Sequence, residues 1–287
     1  MKKITAIWQL MRLEHGFMIA IAIFIGAVIS GKEIPSFYKT FFAFLTALFL
    51  EGATFSLNDY FDLEVDKRNK RIDRPLVRGD LKRRDALIIY LILLPAGLLA
   101  SLMVNKVCFI IALINAFVAT LYDIKIKEIK LVGNFYIAFV MAIPFIFGAT
   151  AVSSKIPFIV YMISLIAFLS GVGREIMKDV MDFEGDEARK TKSFPLYFGK
   201  KGANKFASLF YISSVIISFF PFLFNIDSEY HHDFLYLSIV LITDFMLLYT
   251  SVAIIKKTDL ETMSKFRKIS LIAIFIGLMA FLSGAFF

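Results

Sequence analysis

FYKTFFAFLTALFLEGATFSLNDYFDLEVDKRNKRIDRP, residues 37–75, changes character in a single step. Residues 37–58 are almost purely apolar and long enough to cross a hydrocarbon core about 30 Å thick as one helix. Asp59, Asp62, Glu64 and Asp66 then crowd the end of that helix before lysines and arginines take over. Like charges this close destabilise one another unless cations sit among them. The rest of the chain is therefore searched for further spans and for a partner to these acids.

Both are present. The 287 residues are 59% hydrophobic with a mean hydropathy of +0.74, whereas soluble domains are about half apolar. Apolar runs predict nine spans, at about 12–30, 37–58, 86–104, 107–121, 132–151, 156–173, 204–224, 234–255 and 268–286. The alternating segments of an outer-membrane barrel are missing. The expectation is an all-α polytopic membrane protein, a single domain over 1–287, with nine helices around a central cavity. No cleavage pattern follows MKKITAIWQLMRLEHG, so a removable signal is not expected. Cys108, the one cysteine, reads as a small buried hydrophobe.

The net charge of +8 is explained by topology. Of the 32 lysines and arginines, all but Lys32, Lys39, Lys106 and Lys155 fall on one side of the predicted spans. The positive-inside rule then puts the N-terminus in the cytoplasm and the C-terminus outside. Basic residues at that surface face anionic headgroups of the membrane lipids, and nucleic acid is not needed as a partner.

The second acidic stretch is KDVMDFEGDEARKTKSFP, 178–195, and it repeats the first at a constant offset of 120 residues. Asp59 aligns with Asp179, Asp62 with Asp182, Glu64 with Glu184, Asp66 with Asp186, Lys70 with Lys190 and Pro75 with Pro195. Both stretches leave the membrane on the same side and can face one cavity. On a continuous helix each aspartate triplet lies within roughly a 60° arc, Asn58 falls beside the first, and Glu64 and Glu184 point away. The glutamates are thus expected to face the loops and pair with nearby lysines and arginines.

Carboxylate clusters suit hard cations, and Mg2+ is usually held by a few carboxylates together with phosphate oxygens. Two such helix ends beside an apolar cavity suit a substrate with a diphosphate head and a hydrocarbon tail. N58-D59-x-x-D62-x-x-x-D66 with D179-x-x-D182-x-x-x-D186, on a nine-span chain, resembles the UbiA family of intramembrane prenyltransferases. LYDIKIKEIKLVGN, 121–134, is similar to the family's intervening segment through Tyr122, Lys127, Gly133 and Asn134. RLEHGFMIAIAIFIGA and the compact length most resemble the archaeal branch that builds ether lipids. Two departures from the family pattern stand out: His15 replaces a frequent Asn, and Phe55 and Ser56 stand where an Asn often precedes the first motif.

The resemblance implies Mg2+-dependent transfer of a geranylgeranyl group from its diphosphate to geranylgeranylglyceryl phosphate, at the cytoplasmic face of the cell membrane. An aromatic quinone precursor is the alternative acceptor. It implies metal ligands at Asn58, Asp62, Asp66, Asp179, Asp182 and Asp186, with Asp59 directly or through a neighbour, and diphosphate contacts from Lys127 and Arg74. Arg78 and Lys192 are further phosphate candidates. Tyr122 is expected to set its ring against developing positive charge. Arg12 and His15 are placed at an acceptor phosphate, and Glu51, one stripe below Asn58, on the cavity wall. Asp244, deep in the eighth span, reads as a contact between helices. The repeat also suits an ion-coupled transporter, but transporter sites lie near the midplane and not at one interface. A CDP-alcohol phosphotransferase would need D-G-x-x-A-R, which does not occur.

Overall fold

The computed structural model describes residues 2–68, 70–189 and 191–286, leaving aside the side chains of Lys2, Glu14, His15, Glu128, Ala188 and Arg189. Within these residues every regular element is a helix. In chain order they are α1 (Lys2–Met11), α2 (Leu13–Gly31), α3 (Phe37–Arg68), α4 (Pro75–Arg78), α5 (Arg83–Val104) and α6 (Lys106–Ile124). A 3-10 turn (Ile126–Glu128) precedes α7 (Lys130–Val152), α8 (Phe158–Met181), α9 (Phe183–Arg189) and α10 (Phe194–Ser218). The chain closes with α11 (Phe220–Leu223), α12 (Phe234–Lys256) and α13 (Leu260–Gly284). Helices alone are expected where no water is present to satisfy the backbone.

Among the described residues eight helices are long and apolar enough to cross a membrane: α3, α5, α6, α7, α8, α10 continued through α11, α12 and α13. A ninth span results if α1 and α2 are taken as one, although they are bent by 49° at their junction. Arg12 stands at that bend with a left-handed backbone (φ 51). The expected first span from residue 12 thus gains a helix of its own ahead of it. Ala6 and Leu10 of α1 are buried against Leu63, Leu76, Leu81 and Ala86, tying α1 to the charged end of α3. The seventh span also differs, because α10 starts at Phe194, with Pro195 in its first turn and a kink at Gly199 (φ 69). Large apolar side chains such as Ile92, Phe117 and Phe245 stay exposed, as a surface facing lipid should.

The interior is built on close crossings. A Cβ at Gly26 of α2 would meet the carbonyl of Phe145, and a Cβ at Gly148 of α7 would meet the carbonyl of Ile23. Each helix thus lays a glycine on the other's backbone, the small-residue contact that lets membrane helices approach. Several buried polar groups at the end opposite the acidic motifs are tied up. Tyr230 donates to the Phe281 carbonyl and Tyr236 to the Ser218 carbonyl, both at 2.6 Å. Ser218 Oγ donates to Asp244 Oδ2 at 2.8 Å, so Asp244 does join α10 to α12. Lys32 pairs with Asp227 at 3.1 Å in the loops there.

Candidate active site

α3 runs unbroken through the first acidic motif to Arg68, and its polar face is set by partners from three other segments. Asp59 is buried and receives Arg12 Nη2 at 2.9 Å and Arg74 Nη1 at 3.3 Å. The Arg12 guanidinium also lies 4.1 Å over the Phe55 ring, which holds it in place. Arg74, the residue before Pro75 opens α4, lies 3.9 Å from Asp66. Lys127, presented by the 3-10 turn, donates to Asp62. Asn58 Nδ2 donates to Asp123 Oδ1 at 3.1 Å.

The second motif does not follow one continuous helix. α8 ends at Met181, Asp182 leaves helical geometry (ψ 5), and α9 resumes at Phe183. Asp186 N still reaches the Asp182 carbonyl at 3.0 Å, so the turn is distorted and not lost. The Asp182 side chain is 61% exposed, whereas Asp186 is buried. Lys130 Nζ nevertheless stands among all three aspartates, 3.5 Å from Asp179, 3.6 Å from Asp182 and 2.8 Å from Asp186. Asn134, one turn along α7, donates to Asp179 Oδ2 at 2.7 Å. Replacing Asn134 with Ala strips a buried carboxylate of a donor and is expected to cost about 1–3 kcal/mol. A lowered unfolding midpoint in detergent reads this out, and an unchanged midpoint counts against the contact.

Each remaining position named from the sequence has a definite place. Glu64 is exposed and pairs with Lys67 at 3.1 Å, and Glu184 is exposed as well. Tyr122 packs at a 33° tilt on Tyr136, ring centroids 4.8 Å apart, and edges Gly133. Glu51 is half-buried, with Oε2 3.5 Å from where a Cβ at Gly16 would lie. Arg78 is engaged elsewhere, holding Asp80, the carbonyls of Ile72 and Asp73, and Gln9. Lys192 is exposed. The His15 side chain and Lys190 lie outside the described residues.

The structure adds residues that the motifs do not show. Asp123 is 1% exposed. Lys130, which sequence alone does not separate from other loop lysines, centres the second triplet. Glu175, one turn before Asp179, is buried between Arg174 at 3.3 Å and Lys178 at 2.6 Å. Both acids lie just past the predicted spans 107–121 and 156–173, and only the observed helix ends at Ile124 and Met181 bring them inside α6 and α8.

Electrostatically the two sets are unequal. Asp59, Asp62, Asp66 and Asp123 face Arg12, Arg74 and Lys127, whereas Asp179, Asp182 and Asp186 share Lys130. Arg71, whose backbone N–H donates to the Asp66 carbonyl at 3.0 Å, stands at the end of the first motif. Its guanidinium grips Asp73 at 2.9 and 2.8 Å, holding that loop carboxyl below its usual range. Among the described residues no three His, Cys, Asp or Glu side chains close in enough to hold a metal ion alone. The donor chemistry still fits a hard cation. Asp59 Oδ2, Asp123 Oδ2 and Asp186 Oδ1 are buried with no hydrogen bond, and every acidic donor is an oxygen.

Comparison with known proteins agrees with this geometry. The pattern of the UbiA prenyltransferase family matches residues 19–279. Digeranylgeranylglyceryl phosphate synthase of Archaeoglobus fulgidus is 44% identical over 283 residues, covering 99% of this chain and 96% of that one. A solved structure of a digeranylgeranylglyceryl phosphate synthase superposes with a TM-score of 0.80 at 34% identity, covering 99% of both chains. A UbiA homologue from Archaeoglobus fulgidus, solved with GPP and Mg2+, has the same fold (TM-score 0.69, 18% identity, 96% and 99% covered).

Proposed function

Since the chain belongs to the UbiA prenyltransferase family, we propose that it transfers a geranylgeranyl group from geranylgeranyl diphosphate to geranylgeranylglyceryl phosphate, completing an ether lipid core. Family membership sets aside the transporter reading. The whole chain acts as one catalytic unit of nine spans, α1 and α2 serving as the first, with the acidic end at the cytoplasmic face of the cell membrane. One observation carries the reading: the three aspartates of one motif converge on a single cation, Lys130 Nζ, and the aspartates of the other meet Lys127 and Arg74.

Asn58, Asp62 and Asp66 with Asp179, Asp182 and Asp186 would hold Mg2+, and Asp59 supports the first set through Arg12 and Arg74. Bound there, Mg2+ supplies positive charge to the leaving diphosphate. Lys127 and Arg74 already stand beside the acids and add charge of the same sign, so they orient the diphosphate and stabilise its departure. The Tyr122 ring, fixed by Tyr136, faces the allylic carbon as it becomes positive, a contact worth about 0.5–2 kcal/mol. The acceptor hydroxyl then forms the ether bond at C1, releasing diphosphate and a proton. Arg12 anchors Asp59 and with His15 flanks the acceptor phosphate, while Glu51 lines the apolar cavity.

Purified protein given geranylgeranyl diphosphate, geranylgeranylglyceryl phosphate and Mg2+ is expected to yield the diether phosphate by mass spectrometry. Removing divalent metal with EDTA should abolish product, and restoring Mg2+ should recover it. Prenylation of a hydroxybenzoate or naphthoate in place of the lipid phosphate would keep the family and overturn the acceptor.

A further inference from the structure

Two contacts join α3 to the end of α6, and they keep one register. Asn58 meets Asp123 and Asp62 meets Lys127, so both pairs are 65 residues apart and each pair of partners is four residues apart along its own segment. Lys127 neutralises its carboxylate. Asp123 does something else, because it meets an amide. An ionised carboxylate only accepts hydrogen bonds, so the Asn58 group facing it must be the NH2. With Nδ2 committed to Asp123 Oδ1 at 3.1 Å, the Asn58 carbonyl oxygen points away from Asp123. Asp123 is 1% exposed in the last turn of α6, so water does not compete for Oδ1.

Resting on the metal reading above, we propose that Asp123 is a positioning residue: by fixing the Asn58 amide it presents the Asn58 carbonyl oxygen as a ligand for the divalent cation of the first motif. An asparagine free to rotate would have to be turned oxygen-first and immobilised when the cation binds, because its NH2 is no ligand for a hard metal, and a partner that fixes it beforehand removes that cost. Asp123 thus converts a neutral side chain into a pre-set oxygen donor next to Asp62.

The test uses Mn2+ as a paramagnetic probe, its binding to the full-length protein in detergent followed by electron paramagnetic resonance. Asp123→Ala is expected to weaken Mn2+ binding by about 10- to 100-fold. Asp123→Asn keeps the size and a carbonyl acceptor, so it should retain most of the affinity and guards against misfolding as the cause. In an Asn58→Ala background, Asp123→Ala should cost nothing further. The proposal is overturned if Asp123→Ala binds like wild type, if Asp123→Asn loses as much as Asp123→Ala, or if the loss persists without Asn58. The last two results would make Asp123 itself the ligand. A wild type that transfers prenyl groups yet binds no Mn2+ would instead remove the metal reading, and this proposal with it.

Discussion

Asp62→Ala and Asp182→Ala are each expected to slow prenyl transfer by about 10²–10³-fold, the usual cost of removing one pre-set electrostatic stabiliser. The two reach that loss by different routes. Asp62 is paired with Lys127, so its removal also releases a cation placed beside the departing diphosphate. Asp182 is largely exposed and touches Lys130 only at 3.6 Å, leaving its carboxylate free to engage a cation. Because both act on one leaving group, the double variant should lose much less than the product of the single losses. Glu64→Ala and Glu184→Ala should behave as wild type, since both glutamates face outward. Initial rates at saturating donor and varied Mg2+ separate these cases. A Glu64 variant as damaged as the Asp62 variant would mean that acidic charge in general matters, and not the aspartate face.

The largest loss of stability is expected at Gly148. Replacing it with Ala adds one methyl group that lands on the carbonyl of Ile23, and Gly26→Ala meets that of Phe145 in the mirror-image contact. Overpacking by side chains typically costs about 1–3 kcal/mol, and a peptide carbonyl yields less readily than a flexible side chain. Gly148→Ala should therefore fall at or above that range and lower the unfolding midpoint sharply in detergent. Gly16→Ala makes a fair control, because its nearest neighbour would be Leu48 at an ordinary 3.4 Å. Equal midpoints for the two variants would show that α2 and α7 do not cross at these glycines.

Much of this was legible from hydropathy and spacing, and the residues that were not share a cause. Apolar length marked the spans because a membrane imposes one length on every helix. The 120-residue register marked both aspartate sets and their common side. Asp123 and Lys130 escaped because each belongs to a site only through a partner far along the chain, Asn58 in one case and Asp179 in the other. The break at Asp182 escaped as well, since one ψ angle has no residue signature. α1 was hidden for another reason: it is short, carries four polar residues in ten, and buries Ala6 and Leu10 against Leu63 and Leu76, contacts that apolar length does not reveal.

The paired glycines of α2 and α7 also bear on how the protein is assembled. Helices enter the bilayer in the order of synthesis, yet the surface that receives Gly26 arrives only with Phe145, after α3, α5 and α6 have been made. Until then the glycine face of α2 is covered by lipid, which cannot follow its groove as a backbone does. Both members of the Arg12–Asp59 pair are made earlier, so this part of the charged rim can close before the apolar wall is complete. A ribosome stalled beyond α6 should leave a nascent chain whose first helix is tethered at one end and still free to turn about its own axis.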